Sequence, residues 1–255
     1  MKTTAQILRD YRGPALFSFG FRPFFLLASI WAALSVPLWS LSYLAADDTA
    51  AAIFTRDWHV HEMLFGYTAA VIVGYMTIAG ANWTGHYPVA GRPIVVLVAI
   101  WIAGRAAMLA YPMLGLAAAL IDAAFLALFS LALWRELLAA TNSRVVAPTI
   151  VITLLAIANV AFHARTIIPG IGPLSERTAI GLITFLIALM GGRLVPSFTR
   201  NWIAQRKIAS QPAPYGRFDM FSLIATAAGL AAWVALPDSR LSGALLLIAG
   251  LGLLI

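Results

Sequence analysis

The chain alternates long apolar runs with short polar connectors. A helix needs about 20 apolar residues to cross a bilayer. Runs of that kind are predicted as helices at 24–44, 62–81, 93–111, 114–134, 146–162, 178–194, 219–236 and 241–255. The runs are continuous and do not alternate, so helices rather than barrel strands are the spanning element. A Pro-Met turn at 112–113 separates the third run from the fourth. The eighth run reaches Ile255 with no polar tail after it, which predicts an N-terminal fragment of a longer protein. The pattern predicts an all-α polytopic transmembrane bundle of about eight spans, organised as a single domain over residues 1–255. The longest hydrophilic stretch, 195–218, is too short to be a separate domain.

Composition narrows the class further. Of 255 residues, 62% are apolar and 11% charged, where a soluble domain carries about a quarter charged residues. A soluble fold of this size has too little interior to hide so much apolar surface. The absence of cysteine excludes disulfides, iron–sulfur clusters and thiolate ligands. Topology explains most of the basic excess behind the net charge of +7. Twelve Lys and Arg residues fall on one side of the predicted membrane and four on the other, with Arg105 inside a span. The positive-inside rule then places the N-terminus in the cytoplasm. The partner implied by this charge is a lipid bilayer and not nucleic acid.

Candidate chemistry lies in the polar residues that the spans carry. Ionisable side chains are expensive in a bilayer and mark function by default. His59, His61 and Glu62 open the second span at its external end, and His163 closes the fifth at the same end. Arg105 lies six residues and Asp122 eight residues into their spans from that side, roughly 9 and 12 Å deep by helical rise. Three of the four histidines and all three intramembrane charges therefore gather in the external half.

On the second span, Glu62, Gly66, Ala70 and Gly74 follow an i, i+4 line whose small residues allow close helix packing. Glu62 is expected to face the bundle. His59 shares that face at i−3, with Met63 a nearby soft ligand, while a regular helix turns His61 elsewhere. Asn159 and His163 share a face on the fifth span. Neutral imidazoles here suit iron or copper, and a carboxylate or amide suits the second ring nitrogen. The same residues also have plainer readings. The histidines could be interfacial polar residues, and Arg105 with Asp122 a pair that only stabilises the bundle. Trp31, Trp39 and Trp58 read as belt or packing residues.

The cytoplasmic side carries a second group. Asn82-Trp83-Thr84-Gly85-His86 follows the second span, and Gly191-Gly192-Arg193 and Pro196-Ser197-Phe198-Thr199-Arg200-Asn201 follow the sixth. Arginines beside glycines could bind haem propionates or lipid phosphates, or could be positive-inside anchors. His86 reads as a solvated loop residue.

These segments, with Gly20-Phe21-Arg22-Pro23-Phe24-Phe25 and Trp58-His59-Val60-His61-Glu62-Met63-Leu64-Phe65-Gly66, resemble the NnrS family in sequence and in order. The resemblance implies a multi-pass protein of the bacterial inner membrane, of roughly a dozen spans. It implies that haem and copper are bound and that the protein acts in the response to nitric oxide or nitrosative stress. It supports His59, His61, Glu62, Arg193 and Arg200 as functional positions, and His163 rests on the topology. The leading expectation is a protein that binds or processes nitric oxide, or a nitrosylated metal, at a histidine-ligated site. His59, His61 and His163 are the metal candidates, and Glu62, Arg105, Asp122 and Asn159 the supporting or proton-carrying groups. The alternative is a secondary transporter using Glu62, Arg105 and Asp122 as an intramembrane relay. Oligomeric state leaves no mark in the sequence.

Overall fold

The computed structural model describes residues 11–44, 52–84, 90–139, 145–208 and 213–254. Among them the elements are helical throughout, with no strand. Seven helices are long and apolar enough to cross a membrane. The chain divides into two compact units, Met1–Ile168 and Pro169–Ile255.

The first unit holds α1 (Phe21–Leu44), α2 (Arg56–His61), a π-helical segment (Glu62–Thr68), α3 (Ala69–Thr84), α4 (Arg92–Leu109), α5 (Tyr111–Leu114), α6 (Leu116–Ala139) and α7 (Val146–His163). α2, the π segment and α3 run on as one span. Thr55 begins it, its side chain accepting from the Trp58 backbone N–H at 3.1 Å, with Asp57 in the first turn. Both favour a helix start. α1 packs on α2, the π segment and α3, α4 packs on α6, and α6 on α7. Phe24, Phe65, Met76, Trp101, Phe125 and Phe162 fill the space between them. The turn predicted at 112–113 is the one-turn helix α5, closed by Gly115 at φ 50°. A side chain is disfavoured at that angle.

The second unit holds α8 (Ile171–Gln205), α9 (Arg217–Ala235) and α10 (Arg240–Leu254). The sixth span was expected to end at 194 and give way to a loop. α8 instead continues through Pro196 to Gln205, 35 residues in all. One proline removes a single backbone donor. The residues after it, Trp202-Ile203-Ala204-Gln205, have no breaker among them, and Thr199 Oγ1 returns a bond to Val195 O at 2.8 Å. α10, the eighth predicted span, forms with 15 residues and falls short of the length that marks the other seven. α9 and α10 meet through small residues. A Cβ on Gly229 would stand 3.2 Å from the Leu245 backbone, and Ser222 Oγ donates to Gly252 O at 2.9 Å.

Candidate functional site

The ends of four spans in the first unit enclose a buried polar network. Glu62, His61, Arg105, Asp122 and Asn159 are all nearly inaccessible, and His163 is nine-tenths buried. Arg105, from α4, joins two carboxylates. Its Nη1 donates to Glu62 Oε2 at 2.5 Å and its Nη2 donates to Asp122 Oδ1. Trp31 of α1 adds an indole N–H to the same Glu62 oxygen at 2.7 Å.

Asp122 Oδ2 collects three further groups. His61 Nε2 lies 3.0 Å away, Asn159 Nδ2 2.9 Å and His163 Nε2 2.9 Å. His61 Nε2 is also 3.1 Å from Asn159 Oδ1, and His61 Nδ1 is 3.0 Å from Glu62 Oε1. Both nitrogens of His61 thus face oxygens that can only accept. The Arg105 guanidinium stands between the two carboxylates, so opposite charges meet where the interior is apolar. Phe65 and Phe162 flank the His61 ring at centroid distances of 5.4 and 5.3 Å and seal it from solvent.

The helix beneath this network is locally widened. In the π segment, hydrogen bonds skip one residue more than in an α-helix, an irregularity common at functional sites. Gly66 gives Arg105 its seat. A Cβ there would meet the Arg105 guanidinium and stand 2.8 Å from Glu62 Oε2. Trp101 Nε1 donates to Gly66 O at 3.0 Å, satisfying a carbonyl beside the widened turn. Thr68 Oγ1 donates to Met63 O at 2.8 Å.

The structure sorts the residues singled out from the sequence. His61, Glu62, Arg105, Asp122, Asn159 and His163 come together. His59 does not join them. Its ring stacks on Trp39 of α1, 3.9 Å between centroids and 11° between planes, and its buried Nδ1 has no hydrogen-bond partner among the described residues. His59, expected on the face of Glu62, stands on the wall toward α1, and His61, expected to point elsewhere, is the histidine that enters the network. The reason is angular. Successive residues point about 100° apart, so His59 and Glu62 do share the wall facing α1. His61 faces the neighbouring wall, which carries Asp122 and Asn159. Arg193 and Arg200 lie on α8 in the second unit, Arg200 exposed and Arg193 partly so. His86 and Gly85 are outside the described residues, as are the side chains of Asn82, Trp83 and Thr84.

Sequence reasoning missed Trp31 as a partner of Glu62 and Trp101 as a partner of Gly66. An indole within a span looks the same whether it packs or donates, so no signal in the pattern marked either. Gly66 was legible as a point of close approach, though its neighbour is a guanidinium and not another backbone.

The donor set suits a metal. His61, Asp122 and His163 each offer one ligand atom, all within 4.8 Å of one another. Imidazole and carboxylate are ligands of first-row transition metals. No curated protein and no solved structure matches the chain. The NnrS protein family matches residues 15–255, a range that takes in every residue of the network. Over that extent the match is decisive: this multi-pass membrane protein belongs to the NnrS family.

Proposed function

We propose that the protein acts in the bacterial inner membrane in the response to nitric oxide, holding haem iron or copper through histidines of the buried network. The observation that carries the reading is the buried cluster of His61, Asp122 and His163, with His163 Nδ1 left unpartnered at its edge among the described residues, inside the region matched to the family. Buried ring nitrogens of His59 and His163 that have no partner among the described residues fit it, because a buried acceptor without a donor is a place for an ion. When bound, such a metal supplies an open coordination position for nitric oxide or a nitrosylated species, which is small and apolar enough to arrive through lipid. The protein's own residues keep water away and fix the imidazoles. Asp122 and Asn159 orient His61 and His163, Arg105 holds both carboxylates in place, and Trp31 completes Glu62. The external placement of this end and the assembly of residues 1–255 into one transmembrane domain belong to the same proposal, as do Arg193 and Arg200 as groups for propionates or lipid phosphates.

The test is absorption of the detergent-purified chain, oxidised, reduced and exposed to nitric oxide, beside metal analysis. A Soret band or stoichiometric copper whose spectrum changes with nitric oxide is expected. A colourless, metal-free protein from cells supplied with haem and copper would overturn the reading.

One observation favours the transporter reading instead. Trp31, Glu62, Arg105, Asp122 and His163 form an unbroken hydrogen-bonded chain across five spans. A metal-free protein that drives substrate-dependent proton flux into proteoliposomes, lost in Asp122→Asn, would select it.

A further inference from the structure

We propose that His163 is the metal ligand of this network, binding through Nδ1, with Asp122 as the carboxylate that orients it and His61 as an imidazole with no nitrogen free to bind. The inference rests on the reading above that the protein carries haem iron or copper.

His163 Nε2 faces Asp122 Oδ2 at 2.9 Å, and a carboxylate oxygen already contacted by two other donors can only accept. Nε2 therefore carries the hydrogen. In a neutral ring the lone pair is then on Nδ1. That atom is buried and has no hydrogen-bond partner among the described residues. An imidazole whose far nitrogen donates to a carboxylate is the usual arrangement of a metal-bound histidine.

The other histidines differ on this point. His61 spends Nδ1 on Glu62 and Nε2 on Asp122 and Asn159. A metal between His61, Asp122 and His163 would have to strip three donors from one oxygen, beside the Arg105 guanidinium. His59 has a vacant Nδ1, but no described carboxylate fixes which of its nitrogens is protonated.

Position agrees with the assignment. His163 is the last residue of α7, followed by the short turn Ala164–Thr166, so it sits at the rim of the network. The Tyr111 ring lies nearly parallel to it at 6.2 Å, and the Phe162 ring is perpendicular at 6.4 Å. The network behind supplies orientation and charge, and the rim offers one nitrogen. The shared chemistry is a first-row metal that accepts imidazole, either copper(II) or the iron of haem.

The test loads the full chain in detergent with copper(II) in one arm and hemin in the other. It reads nitrogen splitting in the copper EPR spectrum and the Soret band of the haem. His163→Gln keeps an amide donor for Asp122 and removes the imidazole. It is expected to lose the nitrogen splitting or the Soret shift in whichever arm the wild type binds. Asp122→Asn should weaken binding about 10–100-fold. Imidazole added to His163→Gly should restore the lost signal. A wild-type spectrum and affinity in His163→Gln would overturn this assignment and leave the haem or copper reading standing. A wild type that binds neither probe would overturn both. Should the variants fail to fold, the metal-free wild type still decides. The chain has four histidines, and ring 1H–15N correlations should show His163 protonated at Nε2. Protonation at Nδ1 would refute the proposal.

Discussion

The two units solve the packing of membrane helices in different ways. In the second, α9 and α10 meet through glycine and hydroxyl residues, with Ser222 reaching Gly252 O, Thr226 bonding back to Ser222 O and Ser242 to Leu236 O. No carboxylate or guanidinium is buried there among the described residues. In the first unit, Glu62, Arg105 and Asp122 lie in the interior and are bound by two histidines, an asparagine and an indole. Small residues are enough to bring helices together. Charges in an apolar interior cost free energy that packing alone does not require. The contrast therefore separates scaffold from the proposed chemistry within one chain.

Arg105→Leu should break the contrast most strongly. It leaves two buried carboxylates facing each other, and losing one partner of a buried pair costs about 3–5 kcal/mol. Thermal unfolding in detergent should show a large fall, partly recovered when Glu62→Gln removes the stranded charge. An unchanged melting temperature in Arg105→Leu would mean that the network is wet and open. Trp31→Phe keeps the ring and deletes the N–H to Glu62. A hydrogen bond to a charged group is worth about 1.5–3 kcal/mol, so the same measurement should register a smaller loss. Gly66→Ala places a methyl against Arg105 and Glu62 and should cost about 1–3 kcal/mol through overpacking. It should also change the spectrum of any bound metal, which a purely structural strain elsewhere would not. Ser222→Ala, in the other unit, should cost only about 0.6 kcal/mol, the usual worth of a hydrogen bond between membrane helices. If Ser222→Ala proved as damaging as Trp31→Phe, the division between scaffold and chemistry would be lost.

Much of this was readable in the residues. A run of about 20 apolar residues reports a span directly, so most spans stand where the pattern put them. The end of α8 was not readable, because Pro196 looks like a stop and only the neighbouring turns decide whether a helix survives it. The gathering of His61, Glu62, Arg105, Asp122 and His163 at one end followed from depth along each span. Depth is a one-dimensional quantity that sequence supplies. Which histidine turned toward which wall did not follow, because that needs the positions of α1 and α6 on either side of His61. Trp31 and Trp101 were hidden for the same reason. Their function lies in a partner from another helix.

The π segment has one more consequence. A π turn is an α turn with one surplus residue. The surplus is taken up between Glu62 and Thr68, so the stretches before and after it can keep the faces an uninterrupted helix would present. Such a stretch has the form of a one-residue insertion that the surrounding bundle absorbed. Deleting one residue in this stretch would keep the scaffold and its contacts with α1, yet close the opening in which Arg105 rests against Gly66.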